Sequence, residues 1–326
     1  MINNFIADQI RAYFGFEPTF EQSEVIHQLS EFILSEASSE VFLLRGFAGT
    51  GKTSLVAALV KTLDALKQRV VLMAPTGRAA KVFALYSGHP AYTIHRRIYR
   101  QKSLTDDTSF SLAPNLARNT LFIVDEASMI GDDNFGSTFG SGRLLDDLFH
   151  FVYSGEGCRL LLLGDTAQLP PVGLDESPAL SPQRLSSYDA HVKTMELTRV
   201  MRQDEMSGIL QNATAIRERI SQLADKHQKV GSARLKKPLL LRSLPDVIPI
   251  NGAELIEKLS DCYNYVGEDE TMVICRSNKN ANIYNRGIRG SVLGREEELC
   301  TGDMLIVVRN NYFWAEKEKE IGRAHV

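Results

Sequence analysis

The chain has 326 residues, of which 44% are hydrophobic and 24% charged, and its formal net charge is −3 at pH 7. This composition is typical of a soluble globular protein and excludes disordered and fibrous classes. The near-neutral charge predicts no general attraction to nucleic acid, although a local basic groove would be enough for binding.

The longest apolar runs, such as residues 160–163, are too short to span a membrane, and MINNFIADQI lacks the pattern of a signal peptide. The four cysteines form no C-x-x-C pair, which argues against a disulfide framework and a zinc site. We therefore expect a cytoplasmic protein without a membrane partner.

From residue 22 to about residue 165, helical and strand-like patterns alternate. QSEVIHQLSEFIL has apolar residues at helical spacing, and a second amphipathic helix begins near Leu55. Four short apolar runs predict buried strands: VFLLRG, RVVLMAP, TLFIVDE and CRLLLLGD. Buried strands separated by helices indicate an α/β fold with a parallel sheet that is covered on both faces.

Polar, turn-rich residues predict loops at 101–119 and 131–142. The sequence changes character after Arg202, so we predict a first domain at 1–203 and a second at 204–326. In the second domain we predict helices at 204–230, within AELIEKLSDCY and within NKNANIYNRGIRG, and strands at TMVICRS and GDMLIVVRN.

A phosphate-binding loop is predicted at GFAGTGKT, which lies between a strand and a helix. Its glycines allow backbone N–H groups to surround phosphates at a helix N-terminus. Lys52 would bind the β- and γ-phosphates, and the Thr53 hydroxyl would coordinate Mg²⁺. The predicted nucleotide-binding residues of this loop are Gly46, Gly49, Thr50, Gly51, Lys52, Thr53 and Ser54.

Asp125 and Glu126 end the strand LFIVDE, at the sheet edge that also carries the phosphate-binding loop. We predict that Asp125 joins the Mg²⁺ site and that Glu126 orients or deprotonates the attacking water. For Ser128 or Asp133 alone, a helix-capping role is the simpler interpretation.

The next strand ends in LLLLGDTAQLPPVG, where Pro170 and Pro171 stiffen the exit from the strand. Gln168 could bind the γ-phosphate and transmit its loss through this rigid loop. We therefore predict that Gln168 is a sensor of the nucleotide state.

Six segments, in this order, resemble the RecD-like branch of superfamily-1 helicases: GFAGTGKT, APTGRAAK, TIHR, VDEAS, GDTAQLPPVG and LTRVMRQ. The resemblance implies a RecA-like P-loop NTPase domain followed by a partial second RecA-like domain. It also implies that Gln22, in PTFEQSEV, recognises adenine and that Arg202 reaches the γ-phosphate from the domain junction. ATP and Mg²⁺ are the implied cofactors.

The resemblance also implies contacts with DNA. In the first domain the implied residues lie at helix starts, which suit a phosphate. They are Pro75, Thr76, Arg78, Lys81, Thr93 and His95. For His95, a packing role is an equal alternative. In the second domain the implied residues are Arg276, Asn278 and Lys279.

The family has a short strand-separating hairpin between TIHR and VDEAS, which we place within 101–119, with Phe110 as the aromatic candidate for its tip. The family pattern continues beyond RNNY with motifs that do not follow here. We therefore expect an incomplete second domain, a final segment that is not native, ATP binding with slow hydrolysis, little stimulation by DNA and no strand separation.

The resulting hypothesis is an ATP-dependent DNA helicase that moves 5′ to 3′ on single-stranded DNA, acts at duplex junctions and serves repair or recombination. An RNA helicase of the same superfamily is one alternative. A non-motor P-loop ATPase that acts on protein partners and a passive single-strand binder are two others.

Overall fold

The computed structural model describes residues 2–35, 37, 39–103, 106–132, 139–200, 207–227 and 241–305. The chain divides into two compact units, Met1–Gln203 and Asp204–Val326.

The first unit is built on a parallel sheet to which six described strands contribute, in the order β3-β2-β6-β7-β1-β8. The predicted α/β fold of the first domain is confirmed. These strands are β1 (Glu40–Gly46), β2 (Arg69–Ala74), β3 (Ala91–Thr93), β6 (Thr120–Val124), β7 (Arg159–Gly164) and β8 (His191–Leu197).

Side chains alternate between the two faces of the sheet and fill two hydrophobic clusters. On β1, Phe42 and Leu44 belong to one cluster, whereas Val41 and Leu43 belong to the other. All four side chains are fully buried, because helices cover both faces. This double burial explains why the central strands are continuously apolar in sequence.

Helices α1 (Ile2–Phe14), α2 (Phe20–Leu34) and α3 (Lys52–Ala65) contribute to the first cluster. Thr19 begins α2 with a capping box, in which the Thr19 hydroxyl accepts from the Gln22 N–H. The remaining described helices of this unit are α4 (Gly77–Ser87), α5 (Ile94–Ile98), α6 (Leu144–Tyr153) and α7 (Pro182–Ser186).

Strands β4 (Tyr99–Ser103) and β5 (Asp106–Leu112) follow α5 in the sequence and pair as an antiparallel hairpin. The expected place of Phe110 at its tip is wrong: Phe110 pairs with Gln101 and stacks on Phe139 with ring centroids 4.5 Å apart. It therefore anchors the base of the hairpin. Residues 104 and 105, which join the two strands, lie outside the described residues.

The second unit contains α8 (Gly208–His227), α9 (Leu255–Asp261) and α10 (Asn278–Gly287). The helices predicted there are confirmed, but the strand predicted at residues 271–277 is wrong. That segment is irregular, and its side chains Met272 and Ile274 are 71% and 89% exposed.

A strand needs a neighbour to accept its hydrogen bonds. The strand that we predicted at residues 302–310 lies largely outside the described residues. Apart from a bridge between Leu244 and Val247, the described residues of the second unit form no β-ladder. They do not display the sheet expected of a second RecA-like domain.

Candidate active site

The loop between β1 and α3 has the backbone required to surround a phosphate. Gly49 and Gly51 have φ angles of 82° and 89°, in the left-handed region that favours glycine. A Cβ atom on Gly51 would lie 2.7 Å from Gln22 Nε2, so this position also lacks space for a side chain. Thr50 is 1% exposed, and its hydroxyl donates to the Phe47 carbonyl over 2.8 Å. The loop is therefore held by internal hydrogen bonds.

Lys52 lies at the start of α3 and folds back over this loop. Its ammonium donates to the carbonyl oxygens of Gly46 and Phe47 over 2.6 and 2.9 Å. Burial lowers the pKa of Lys52, while the nearby carboxylates of Asp165, Asp125 and Glu126 raise it. An ammonium has three donors, so Lys52 retains capacity for a phosphate oxygen.

The Gln22 side chain is hydrogen-bonded to the phosphate-binding loop. The side chain is 3% exposed, its Oε1 accepts from the Thr19 N–H, and its Nε2 donates to the Thr50 carbonyl, both over 3.0 Å. Gln22 also lines the cleft described below. One N–H of its Nε2 is left for a ligand, and the recognition of adenine by this N–H stays a prediction.

Asp125 and Glu126 follow β6 at the carboxyl edge of the sheet. Burial raises the pKa of Asp125 to about 6, although the Glu126 N–H, which donates to its carboxylate over 2.9 Å, and the Lys52 charge lower it. Glu126 has φ 56° and ψ 38°, a left-handed conformation that costs free energy in a residue other than glycine. Such a strained backbone at the end of a strand is typical of functional sites.

Gln168 belongs to the turn that follows β7. The carboxylate of Asp165, which is 4% exposed, accepts from the Ala167 N–H over 2.8 Å and shapes this turn. The Gln168 side chain accepts a hydrogen bond from the Ser128 hydroxyl over 2.8 Å. The capping role predicted for Ser128 is wrong, because Ser128 lies inside a short 3₁₀ turn whose N-cap is Glu126. Asp133 lies outside the described residues.

A single cleft of about 600 Å³ brings these groups together. The cleft lies at the carboxyl edge of the strands, where ligands bind in parallel α/β sheets. The predicted residues on its wall are Gln22, Gly49, Gly51, Lys52, Thr53, Ser54, Asp125, Glu126 and Gln168. Sequence reasoning missed Phe14, Phe16 and Glu17, which line the same cleft and for which no motif gave a signal.

The donor set of this cleft fits Mg²⁺. The Thr53 hydroxyl and the Asp125 carboxylate supply the oxygen ligands that Mg²⁺ prefers, and phosphate oxygens would complete the shell. In the part of the chain that the structure describes, no group of three or more His, Cys, Asp or Glu side chains could hold a metal ion. A Mg²⁺ site that takes some of its ligands from the phosphates of the nucleotide needs fewer protein side chains, which agrees with this observation.

We expect Asp125→Asn to stabilise the nucleotide-free protein at about pH 7.5, by on the order of 1–2 kcal/mol. Because the native pKa of about 6 exceeds the ordinary 3.8, ionised Asp125 destabilises the fold above pH 6. The gain should therefore shrink as the pH falls from about 6 towards 4. Urea unfolding of both proteins at about pH 7.5 and 4.5 measures it, and an equal difference at both values would contradict the buried charge.

The residues predicted to contact DNA in the first unit lie at the starts of α4 and α5. The Thr76 hydroxyl accepts from the Ala79 N–H, and the Thr93 hydroxyl accepts from the Arg96 N–H, both over 3.2 Å. Both threonines thus cap helices, and each can still donate its own proton. Their segments are adjacent, because Ala74 on β2 pairs with Thr93 on β3.

Arg78 and Lys81 are exposed on α4, while Pro75 precedes the helix and is half-buried. His95 contacts the rings of Tyr99 and Phe139, with centroids 5.6 and 5.1 Å away, and burial lowers its pKa. This geometry agrees with the packing alternative for His95, so its contact with DNA stays a prediction.

Arg276, Asn278 and Lys279 are exposed beside and within the first turn of α10, in the second unit. Arg202 lies outside the described residues. The start of its motif is described: Glu21 accepts from the Thr198 N–H and hydroxyl and from the Arg199 N–H, and the Thr198 hydrogen bond lowers the Glu21 pKa. Sequence reasoning missed this link between α2 and the LTRVMRQ motif.

Comparison with known proteins assigns this chain to a family. The family model described as "AAA domain" matches residues 21–234. The ATP-dependent RecD2 DNA helicase of Deinococcus radiodurans is 35% identical over 196 residues, which cover 59% of this chain and 23% of that protein. The ATP-dependent DNA helicase dda of Enterobacteria phage T4 is 25% identical over 276 residues, which cover 81% of this chain and 55% of that protein.

Among solved structures, the Pif1 helicase from Candida albicans aligns with a TM-score of 0.41 and 18% identity, over 77% of this chain and 55% of that one. The chain thus covers about a quarter to about half of the length of these proteins. The sequence relatives confirm the resemblance to RecD-like superfamily-1 helicases. Among the described residues, no helix is long and apolar enough to cross a membrane.

Proposed function

We propose that this chain, which belongs to the AAA domain family and resembles RecD-like helicases, is an ATP-dependent DNA helicase. It would couple hydrolysis to 5′ to 3′ movement on single-stranded DNA and to duplex unwinding. The observation that carries the proposal is the cleft in which Lys52, Asp125, Glu126 and Gln168 meet. We further propose a role in DNA repair or recombination.

The residues of the cleft divide the work of phosphoryl transfer. Lys52 would hold the β- and γ-phosphates, while Thr53 and Asp125 would hold Mg²⁺, which neutralises phosphate charge when bound. Glu126 would orient the attacking water and accept its proton, and Gln168 would report the presence of the γ-phosphate. Arg202 would add positive charge at the transferred phosphate.

Single-stranded DNA would bind at the same edge of the sheet as the nucleotide. The end of β2 leads directly into Thr76 and the exposed basic residues Arg78 and Lys81. Because β2 and β6 are hydrogen-bonded neighbours, this surface is one strand away from Asp125 and Glu126. That proximity offers a short path by which the nucleotide state could change the grip on DNA.

The test of this function is ATP hydrolysis with and without single-stranded DNA, together with RNA of equal sequence, in a chain extended by the helicase motifs that follow RNNY in the family. An increase in rate with DNA but not with RNA agrees with the proposal. No response to either polymer would favour a non-motor ATPase, and a response to RNA alone would favour an RNA helicase. Partial duplexes with a 5′ or a 3′ tail test the direction, because release from the 3′-tailed substrate alone would contradict 5′ to 3′ movement.

We expect Lys81→Gln to weaken binding of single-stranded DNA and to reduce the slope of log affinity against log salt by about 0.7, the value for one phosphate contact. Lys67→Gln is the matched control, because Lys67 is also exposed but precedes β2, at the opposite edge of the sheet. Fluorescence anisotropy over a range of salt concentrations measures both slopes. Equal slopes for the two variants would exclude a DNA contact by Lys81.

A further inference from the structure

Two loops at the nucleotide cleft are joined by a partly buried hydrogen bond. The acidic turn, residues 125–131, follows β6, and the glutamine loop, residues 165–173, follows β7. The Ser128 hydroxyl in the acidic turn donates to Gln168 Oε1 over 2.8 Å. Ser128 is 2% exposed whereas Gln168 is exposed, so this hydrogen bond is shielded from water on the side of Ser128.

A second contact joins the same two loops. A Cβ atom placed on Gly131 would lie 3.0 Å from Pro171 Cβ, so the backbone of the acidic turn closely approaches the proline ring. Pro171 has a fixed φ angle, which limits how the glutamine loop can move away. The two loops therefore meet at the middle and at the last residue of the acidic turn.

Ser177 fixes the acidic turn itself. Its hydroxyl, in a side chain that is 2% exposed, lies 2.8 Å from the Ala127 carbonyl oxygen and 2.7 Å from that of Ile130. The residues on both sides of Ser128 are thus held in place. Ser128 therefore offers its hydroxyl to the glutamine loop from a fixed position.

We propose that Ser128 is a positioning residue that holds the Gln168 side chain with its Nε2 donors towards the nucleotide cleft. When Oε1 accepts from Ser128, the two N–H donors of Nε2 remain for a γ-phosphate oxygen. The opposite orientation would present a carbonyl oxygen to the phosphate, which repels it. This inference rests on the proposed function, because it assigns a cause to the sensing by Gln168.

The test compares affinities for ADP and for a non-hydrolysable ATP analogue, each with Mg²⁺. We expect Ser128→Ala to reduce the preference for the analogue by about 3- to 10-fold, the effect of one hydrogen bond, and to leave ADP affinity unchanged. Gln168→Ala should do the same, and the double variant should lose no more than the larger single effect. Ser128→Thr keeps the hydroxyl and should retain most of the preference.

Two further variants make the test independent of folding defects. Ser177→Ala loosens the same turn but leaves the Ser128 hydroxyl present, so it should lower the melting temperature and reduce the preference for the analogue by less than Ser128→Ala does. Gln168→Glu changes an exposed side chain and can still accept from Ser128, yet it lacks the N–H donors. It should lose the preference as fully as Gln168→Ala.

Several outcomes would overturn the inference. They are an unchanged preference in Ser128→Ala, multiplied effects in the double variant, and a preserved preference in Gln168→Glu. If the unmodified chain binds the analogue no better than ADP, the sensing role of Gln168 is wrong. If it binds neither nucleotide, the proposed function fails and the inference fails with it.

Discussion

Replacing Lys52 with alanine is expected to weaken the binding of Mg-ATP by on the order of 100-fold, since the ammonium makes charge-assisted hydrogen bonds to phosphate oxygens. One hydrogen bond to a charged group contributes up to about 3 kcal/mol, which accounts for this factor. In the structure the ammonium is half-buried and lies over the loop that would hold the phosphates. Isothermal titration with Mg-ATP measures the loss.

Lys61→Ala is the matched control for this variant. Lys61 lies on the same helix, α3, but is exposed and outside the cleft. Both variants should be checked by thermal unfolding, because Lys52 also offsets the charges of Asp125, Asp165 and Glu126. Full ATP affinity in a folded Lys52→Ala protein would show that the loop is not a phosphate site.

Glu126→Gln is expected to preserve the binding of Mg-ATP but to reduce hydrolysis by on the order of 10²- to 10⁴-fold, the contribution of a positioned general base. Glutamine has the same shape and can still accept a hydrogen bond, but it cannot take a proton from water. Glu126 is not the residue that we assign to Mg²⁺, so ground-state binding should change little. Single-turnover hydrolysis, combined with direct titration of the nucleotide, separates the two effects.

The control for this variant is Glu176→Gln, which changes an exposed carboxylate outside the cleft. It should leave both binding and hydrolysis as they are. An equal loss of ATP affinity in Glu126→Gln and Lys52→Ala would contradict the division between water activation and phosphate binding.

Much of the first unit could be predicted from the sequence because its central strands are buried on both faces. The apolar runs at 41–46, 69–75, 120–126 and 158–165 correspond to β1, β2, β6 and β7. The edge strands were missed for a physical reason: β3 has only three residues, and β8 mixes His191, Lys193 and Glu196 with apolar residues. A half-exposed edge strand produces no continuous apolar run.

The strand wrongly predicted at 271–277 shows the limit of local strand propensity. Its residues have strand propensity, but propensity alone does not provide a neighbour for hydrogen bonding. The exposed side chains of Met272 and Ile274 confirm that no sheet covers them among the described residues. Strand propensity in this segment is therefore not enough to form a strand without a neighbouring strand to pair with.

The candidate site was predictable where a motif fixes the backbone. Lys52, Asp125 and Glu126 were identified because a loop between a strand and a helix, or the end of a strand, places them at one sheet edge. The Ser128–Gln168 contact joins residues 40 positions apart in sequence. No spacing rule indicates such a pair, and only the neighbouring positions of β6 and β7 bring it together.

The most direct test of the central claim is the affinity for single-stranded DNA in two nucleotide states. Fluorescence anisotropy should be recorded with a non-hydrolysable ATP analogue and with ADP, for the unmodified chain and for Lys52→Ala. We predict different affinities in the two states for the unmodified chain and equal affinities for Lys52→Ala, because a motor must grip DNA differently as its nucleotide changes. Equal affinities in the unmodified chain, with both nucleotides bound, would contradict the coupling of this cleft to DNA.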